Sequence, residues 1–198
     1  MDFQDVVRKR RMVRSFERRS IPADLVERIL KNAQRAPSAG FSQGWAFVVL
    51  EGEAEVRQYW DAVGPQDQAA FQWQDLYNAP LLIVCLSNKA AYLDRYAEPD
   101  KGWTDRSDSR WAAAYWDIDT GMAAMLILLT AVDADLGALF FGVPPEKVDI
   151  LRQTFGIPAA LQPIGTVAVG YAKASDPPSP SLKRGHRPEH DVIHRGRW

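Results

Sequence analysis

The chain has almost no cysteine. Cys85 is the only one in 198 residues, so no disulfide can form within it. That count fits a reducing compartment. Histidine is scarce and unevenly placed: His186, His190 and His194 all lie in the C-terminal tail. Their four-residue spacing suits metal ligands on a helix, but Pro188 breaks that helix and Arg187 and Arg195 repel a cation. No metal site is expected. No GxGxxG and no GxxxxGK[ST] occurs, so neither a Rossmann fingerprint nor a P-loop is supported. No Ser/His/acid arrangement can be read from spacing. Asp117-Ile118-Asp119-Thr120-Gly121 holds a single DTG triplet, whereas aspartic-protease chemistry needs two carboxylates in paired loops. Asp119 is instead expected on the exposed face of a helix. Charge of one sign is not in excess: the formal net charge is −1, which excludes a broad nucleic-acid face. No apolar run follows the charged N-terminus as in a signal peptide. The longest apolar stretch, Thr120 to Val132, is too short to span a bilayer. A cytoplasmic, membrane-free chain is expected.

What is plentiful is local. Arg8-Lys9-Arg10-Arg11-Met12-Val13-Arg14-Ser15-Phe16 packs five bases into seven residues, and Arg18 and Arg19 follow. Lys183, Arg184, Arg187, Arg195 and Arg197 form a second cluster at the far end of the chain. Guanidinium groups match the oxygens of phosphate and carboxylate. Two basic clusters on a balanced background can share one anionic ligand. Seven tryptophans suit a flat ligand or a large interface.

Periodicity predicts the elements between these clusters. Asp2 caps a short helix with Phe3, Val6 and Val7 on one face. Pro22 opens a second helix, which Pro37 ends. Trp45 to Leu50 and Leu81 to Leu86 read as buried strands, with a helix through Val56, Tyr59, Trp60 and Val63 between them. A further short helix is expected over Gln68 to Leu76. Ala90 to Tyr96 is helical, and Glu98 to Arg110 is a long polar loop carrying Trp103. The longest helix is expected from Trp111 to about Asp133, apolar nearly all round between Gly121 and Thr130. Such a helix is buried in a core or an interface. Leu136 to Phe141 and Pro163 to Tyr171 are strands, separated by a helix that Pro144-Pro145 opens. Alternating strands and helices predict a sheet covered on both faces. Residues 1–173 form one domain. Residues 174–198 are a Pro/Ser linker, without core-forming residues, and a basic, aromatic tail.

Four stretches together resemble the FMN-dependent nitroreductase family. Arg10-Arg11-Met12-Val13-Arg14-Ser15-Phe16 is similar to its RRSxRxF start. Ala36-Pro37-Ser38-Ala39-Gly40-Phe41-Ser42-Gln43-Gly44-Trp45-Ala46-Phe47-Val48-Val49 is similar to APSAxNxQPWxFVV. Leu136-Gly137-Ala138-Leu139-Phe140-Phe141-Gly142 resembles a strand beside the flavin. Pro163 to Tyr171, then Arg187-Pro188 and Val192-Ile193-His194, resembles the family's ending. The order and spacing agree over nearly the whole chain. The resemblance implies an α+β fold, with a mixed, mostly antiparallel sheet flanked by helices, and a homodimer holding FMN at its interface. It implies that Arg10 and Arg11 line the phosphate and ribityl chain, Arg14 the pyrimidine end, and Phe141 and Gly142 the ring. Arg187, with Arg184 as a second candidate, would reach the phosphate. Pro37, Ser38 and Ala39 would lie on a loop passing the flavin. A reduced flavin carries negative charge near N1 and O2, which a fixed cation stabilises.

Three residues depart from that pattern. Met12 replaces a serine, Phe41 an asparagine and Gly44 a proline. The function implied is NAD(P)H oxidation by FMN, followed by reduction of a nitroaromatic, a quinone or a similar flat acceptor. No catalytic side chain is expected, since the flavin would carry the chemistry, and Phe41, Trp103, Trp111, Tyr115 and Trp116 are the candidate acceptor walls. Two alternatives stand beside it. One is a flavin-sequestering or sensing protein. The other is a flavin-fragmenting enzyme of the 5,6-dimethylbenzimidazole-forming kind, which Phe41 resembles.

Overall fold

The computed structural model describes residues 1–198. Helix α1, Phe3–Lys9, begins where the Asp2 carboxylate accepts the Gln4 N–H at 2.9 Å. Arg8 and Lys9 in its last turn face the negative end of the helix dipole. Helix α2, Ala23–Ala33, starts after Pro22 with Asp24 in its first turn. Strand β1 is Trp45–Glu51 and helix α3 is Gly52–Val63. Strand β2, Leu81–Ser87, leads into α4, Lys89–Tyr96, whose Asn88 side chain accepts the Ala91 N–H. Helix α5, Tyr115–Asp133, is the longest. Strand β3, Gly137–Phe141, helix α6, Val148–Phe155, and strand β4, Gln162–Gly170, complete the body.

The four strands lie in the order β1-β2-β4-β3, each neighbouring pair antiparallel. Met12 adds a short parallel pairing with Ala138, so the sheet is mixed but mostly antiparallel, and the fold is α+β. Helices α2 and α5 cover one face; α3 and α6 cover the other. This sandwich explains the uninterrupted apolar run of β2, all of whose residues are buried. Leu82, Val84 and Leu86 enter the α3/α6 core, whereas Leu81, Ile83 and Cys85 enter the α2/α5 core. Each such aliphatic side chain contributes roughly 1.5–3 kcal/mol on full burial. Helix α5 is long and apolar enough to cross a membrane, but it lies across the sheet with Ala124, Ile127, Leu128 and Ala131 in the core. Ile118, Met122 and Met125 stay exposed, at the spacing of one helical stripe.

Three expectations are corrected. Strand β1 is an edge strand with most of its residues only half-buried, because no strand pairs with its outer side. Gln68 to Leu76 forms no α-helix: the chain there makes turns and then a 3₁₀ turn over Gln74–Asn78. Helix α5 starts at Tyr115, leaving Trp111 in the preceding irregular segment.

Candidate functional site

The basic stretch leaves α1 at Arg10 and runs along the free edge of β3. The Val13 N–H donates to the Ala138 carbonyl at 3.0 Å. Gly137 permits this approach, since a Cβ there would lie 2.8 Å from the Val13 side chain. Val13 fills the α3/α6 core. Its neighbour Arg14 lines a cavity of about 680 Å³ together with Trp60, Trp73, Phe141 and Gly142. Trp60 stacks on Phe141, with centroids 5.5 Å apart and planes 9° from parallel. The Arg14 guanidinium lies 5.4 Å from the Trp73 ring and donates to the Met12 carbonyl at 3.2 Å. No carboxylate pairs with it. A Cβ on Gly142 would meet nothing within 4 Å, so the backbone there is open to a ligand.

Asp176 fixes this stretch. Its Oδ1 accepts the Arg14 N–H at 2.8 Å and the Ser15 N–H at 2.7 Å, and its Oδ2 accepts from the Arg11 guanidinium. The linker expected to lack core-forming residues therefore supplies a buried anchor. Arg11 is committed to Asp176, whereas the half-buried Arg10 side chain makes no ion pair.

The loop before β1 is built differently. Ser38 Oγ accepts the Gln43 N–H at 3.0 Å. The Ala39 N–H donates to Asp119 Oδ2 at 2.9 Å, and the Tyr92 hydroxyl donates to the same oxygen at 2.8 Å. Arg95 Nε donates to the Gly40 carbonyl at 2.9 Å. Asp119 is thus 4% exposed and anchors the loop, which corrects its expected place on an exposed helix face. Burial and the Asp119 carboxylate raise the Tyr92 phenol above its ordinary value. Phe41 stands 73% exposed at positive φ. Trp103, Tyr115 and Trp116 gather round Trp111, with ring centroids 5.4, 5.5 and 6.2 Å from it. Tyr96 joins this cluster, 4.5 Å from Trp111, and packs beneath Gly40.

The anticipated residues therefore fall into three groups within one chain. Met12, Arg14, Phe141 and Gly142 meet at the β3 edge, with Arg10 and Arg11 just upstream. Pro37, Ser38, Ala39, Phe41, Trp103, Trp111, Tyr115 and Trp116 belong to the β1 side. Three strand spacings, roughly 14 Å, separate the two edges. Arg184 and Arg187 lie in the exposed tail, where Arg187 donates to the Asp191 carbonyl at 2.9 Å. Hydrogen bonds from residues 181–198 stay within the tail. Trp60, Trp73, Asp119 and Asp176 were not anticipated as site or anchoring residues. Trp60 already sits in the periodic α3 pattern, and the excess of tryptophan is the signal that pointed toward such walls.

This fold and site define a class: an α+β protein with an aromatic-walled cavity at a sheet edge, bordered by the unpaired Arg14. The sequence model of the nitroreductase family matches residues 7–171, and the chain belongs to that family of oxidoreductases. A protein of Archaeoglobus fulgidus, provisionally named NADH dehydrogenase/NAD(P)H nitroreductase, is 29% identical over 192 residues, covering 96% of this chain and 94% of its own. An NADH dehydrogenase of Thermus thermophilus is 28% identical, covering 92% of each chain. The crystal structure of a nitroreductase family protein from Clostridium difficile superposes with a TM-score of 0.73 at 23% identity and covers both chains completely. That likeness concerns the fold.

Proposed function

We propose that the chain is an FMN-dependent NAD(P)H oxidoreductase that reduces nitroaromatic, quinone or similar flat acceptors. The observation that carries this reading is the Arg14 guanidinium, free of any carboxylate partner, beside a cavity walled by Trp60, Trp73 and Phe141. These residues fit FMN chemically: a cation for the ring's polar edge, aromatic walls, and open backbone at Gly142. Bound FMN supplies the hydride acceptor and donor. Arg14 would hold the pyrimidine edge, Arg10 and the tail residues Arg187 and Arg184 the phosphate. Relatives named NADH dehydrogenase and NAD(P)H nitroreductase support a nicotinamide substrate.

The active form in this reading is a homodimer. The cavity of one subunit would face Pro37, Ser38 and Ala39 of its partner, and the tail, residues 174–198, would wrap onto the partner. Phe3 and Val7 on α1, and the exposed stripe of α5, offer the apolar surface for that contact. Obligate interfaces bury roughly 2,000–5,000 Å².

The test is the purified protein itself. It should be yellow, dimeric by light scattering, and bleached by NADH or NADPH without oxygen. With both substrates stacking in one site in turn, steady-state lines should be parallel when NAD(P)H is varied against acceptor. A colourless protein that takes up no FMN on titration would falsify the flavin claim. Flavin that stays yellow under both nicotinamides would favour the sequestering alternative, and appearance of 5,6-dimethylbenzimidazole the fragmenting one.

A further inference from the structure

A second cavity, of about 490 Å³, lies alongside the first turns of α3 and is separate from the Arg14 cavity except for one shared wall, Trp60. Its rim carries Arg18, Arg19 and Arg57, set against Glu53 and Asp61. Arg57 is paired with Glu53, but Arg18 and Arg19 have no acidic partner. Arg18 commits only its Nε, to Asn78 at 2.9 Å. The Arg19 guanidinium lies 3.7 Å over the Tyr171 ring and donates no hydrogen bond. Inside, the rings of Trp60 and Tyr77 meet edge-on at 5.0 Å. The Tyr77 hydroxyl and the Trp60 indole N–H are both buried, and neither has a hydrogen-bond partner. Native chains leave few buried donors unpaired, and two on adjoining rings of one cavity call for acceptors supplied from outside the chain.

We propose that this cavity is a second binding site, for a small aromatic or heterocyclic anion bearing a carboxylate or phosphate. Arg18 and Arg19 take the anionic group at the rim. The Tyr77 hydroxyl and Trp60 N–H donate to acceptors deeper in the ligand, whose ring packs on the aromatic wall. The volume suits a ligand of that size. Apart from the shared Trp60 the residues are not those of the flavin reading, so variants at Arg18 and Tyr77 test this site separately from it.

The experiment is calorimetric titration of the protein as purified, cofactor included, with phenyl phosphate, benzoate and inorganic phosphate. Saturable binding of phenyl phosphate or benzoate is expected, and the tighter of the two identifies the anionic group. Arg18→Ala should weaken binding about tenfold or more. Tyr77→Phe should weaken it several-fold, yet leave the melting temperature of the free protein unchanged or higher, because it removes a hydroxyl that lacks a partner. Absence of saturable heat from all three probes would overturn the proposal. So would binding that Tyr77→Phe leaves intact, or binding lost in Arg14→Ala but kept in Arg18→Ala, since that anion would sit in the other cavity. Should Arg18→Ala fail to fold, Arg18→Gln gives the same reading. A colourless protein that still binds phenyl phosphate through Arg18 and Tyr77 would sink the flavin reading and leave this one standing.

Discussion

At the β3 edge the chain leaves guanidinium donors unpaired beside an aromatic cavity, whereas at the β1 edge the polar groups of loop 36–44 are largely paired. The first region keeps hydrogen-bonding capacity in hand. The second has spent most of it: the loop is anchored on buried Asp119 and tipped by the exposed Phe41. Both regions use one buried carboxylate to fix backbone N–H groups, Asp176 at one edge and Asp119 at the other. They differ in what remains outside the anchor. The basic stretch keeps free cations, and the loop keeps an apolar ring. In the proposed dimer, the free cations of one copy would face the loop of the other.

The anchors offer the largest test of that comparison. Asp119→Ala strands the Tyr92 hydroxyl and the Ala39 N–H, and should cost about 3 kcal/mol. Asp176→Ala strands two backbone N–H groups and should cost about 2 kcal/mol. Thermal unfolding at fixed protein concentration measures both. If the edges are independent within a subunit, the double variant should be additive to within about 0.5 kcal/mol. A clear departure would join the two edges and defeat the contrast.

Next come the cations. Arg14→Ala should slow anaerobic flavin reduction about tenfold while changing FMN affinity little. Arg187→Ala should do the reverse, weakening retention and sparing reduction. Stopped-flow reduction and FMN release separate the two, and equal effects on both properties would remove the division of roles. The smallest expected effect is at the loop tip. Phe41→Ser should leave stability within about 0.5 kcal/mol, because the side chain is exposed. It should shift the acceptor KM several-fold if the ring borders the acceptor site. An unchanged KM for every acceptor would mark Phe41 as interface surface alone.

Much of the frame was legible in the chain. Asp2 and Pro22 mark helix starts by local chemistry, and the β2 run reads as a strand buried on both faces. Trp45 to Leu50 carries the same apolar signature but lies at an edge, because composition reports burial of side chains and not how many strands pair with the backbone. Asp119 was misplaced because α5 is apolar nearly all round, so a single acid has no polar face to mark its direction. Asp176 was hidden among prolines and serines, since its role depends on the fold carrying it back to Arg14. The division of the site between two edges follows from strand order, which periodicity does not encode. The basic stretch stands out in the chain because five bases in seven residues have few acids beside them, and the fold leaves Arg14 without a carboxylate partner.

Cys85 sits in the middle of β2, and burial pushes its thiol up to about 12. Thiolate is therefore vanishingly rare on the folded chain at neutral pH, and alkylating reagents have no path to it. The molecule is in effect a cysteine-free background as it stands. A single cysteine introduced in the tail or at the loop tip could carry a spin label or a dye, with no native residue to remove first. The distance between two tails across a dimer then becomes a quantity that can be measured directly in solution.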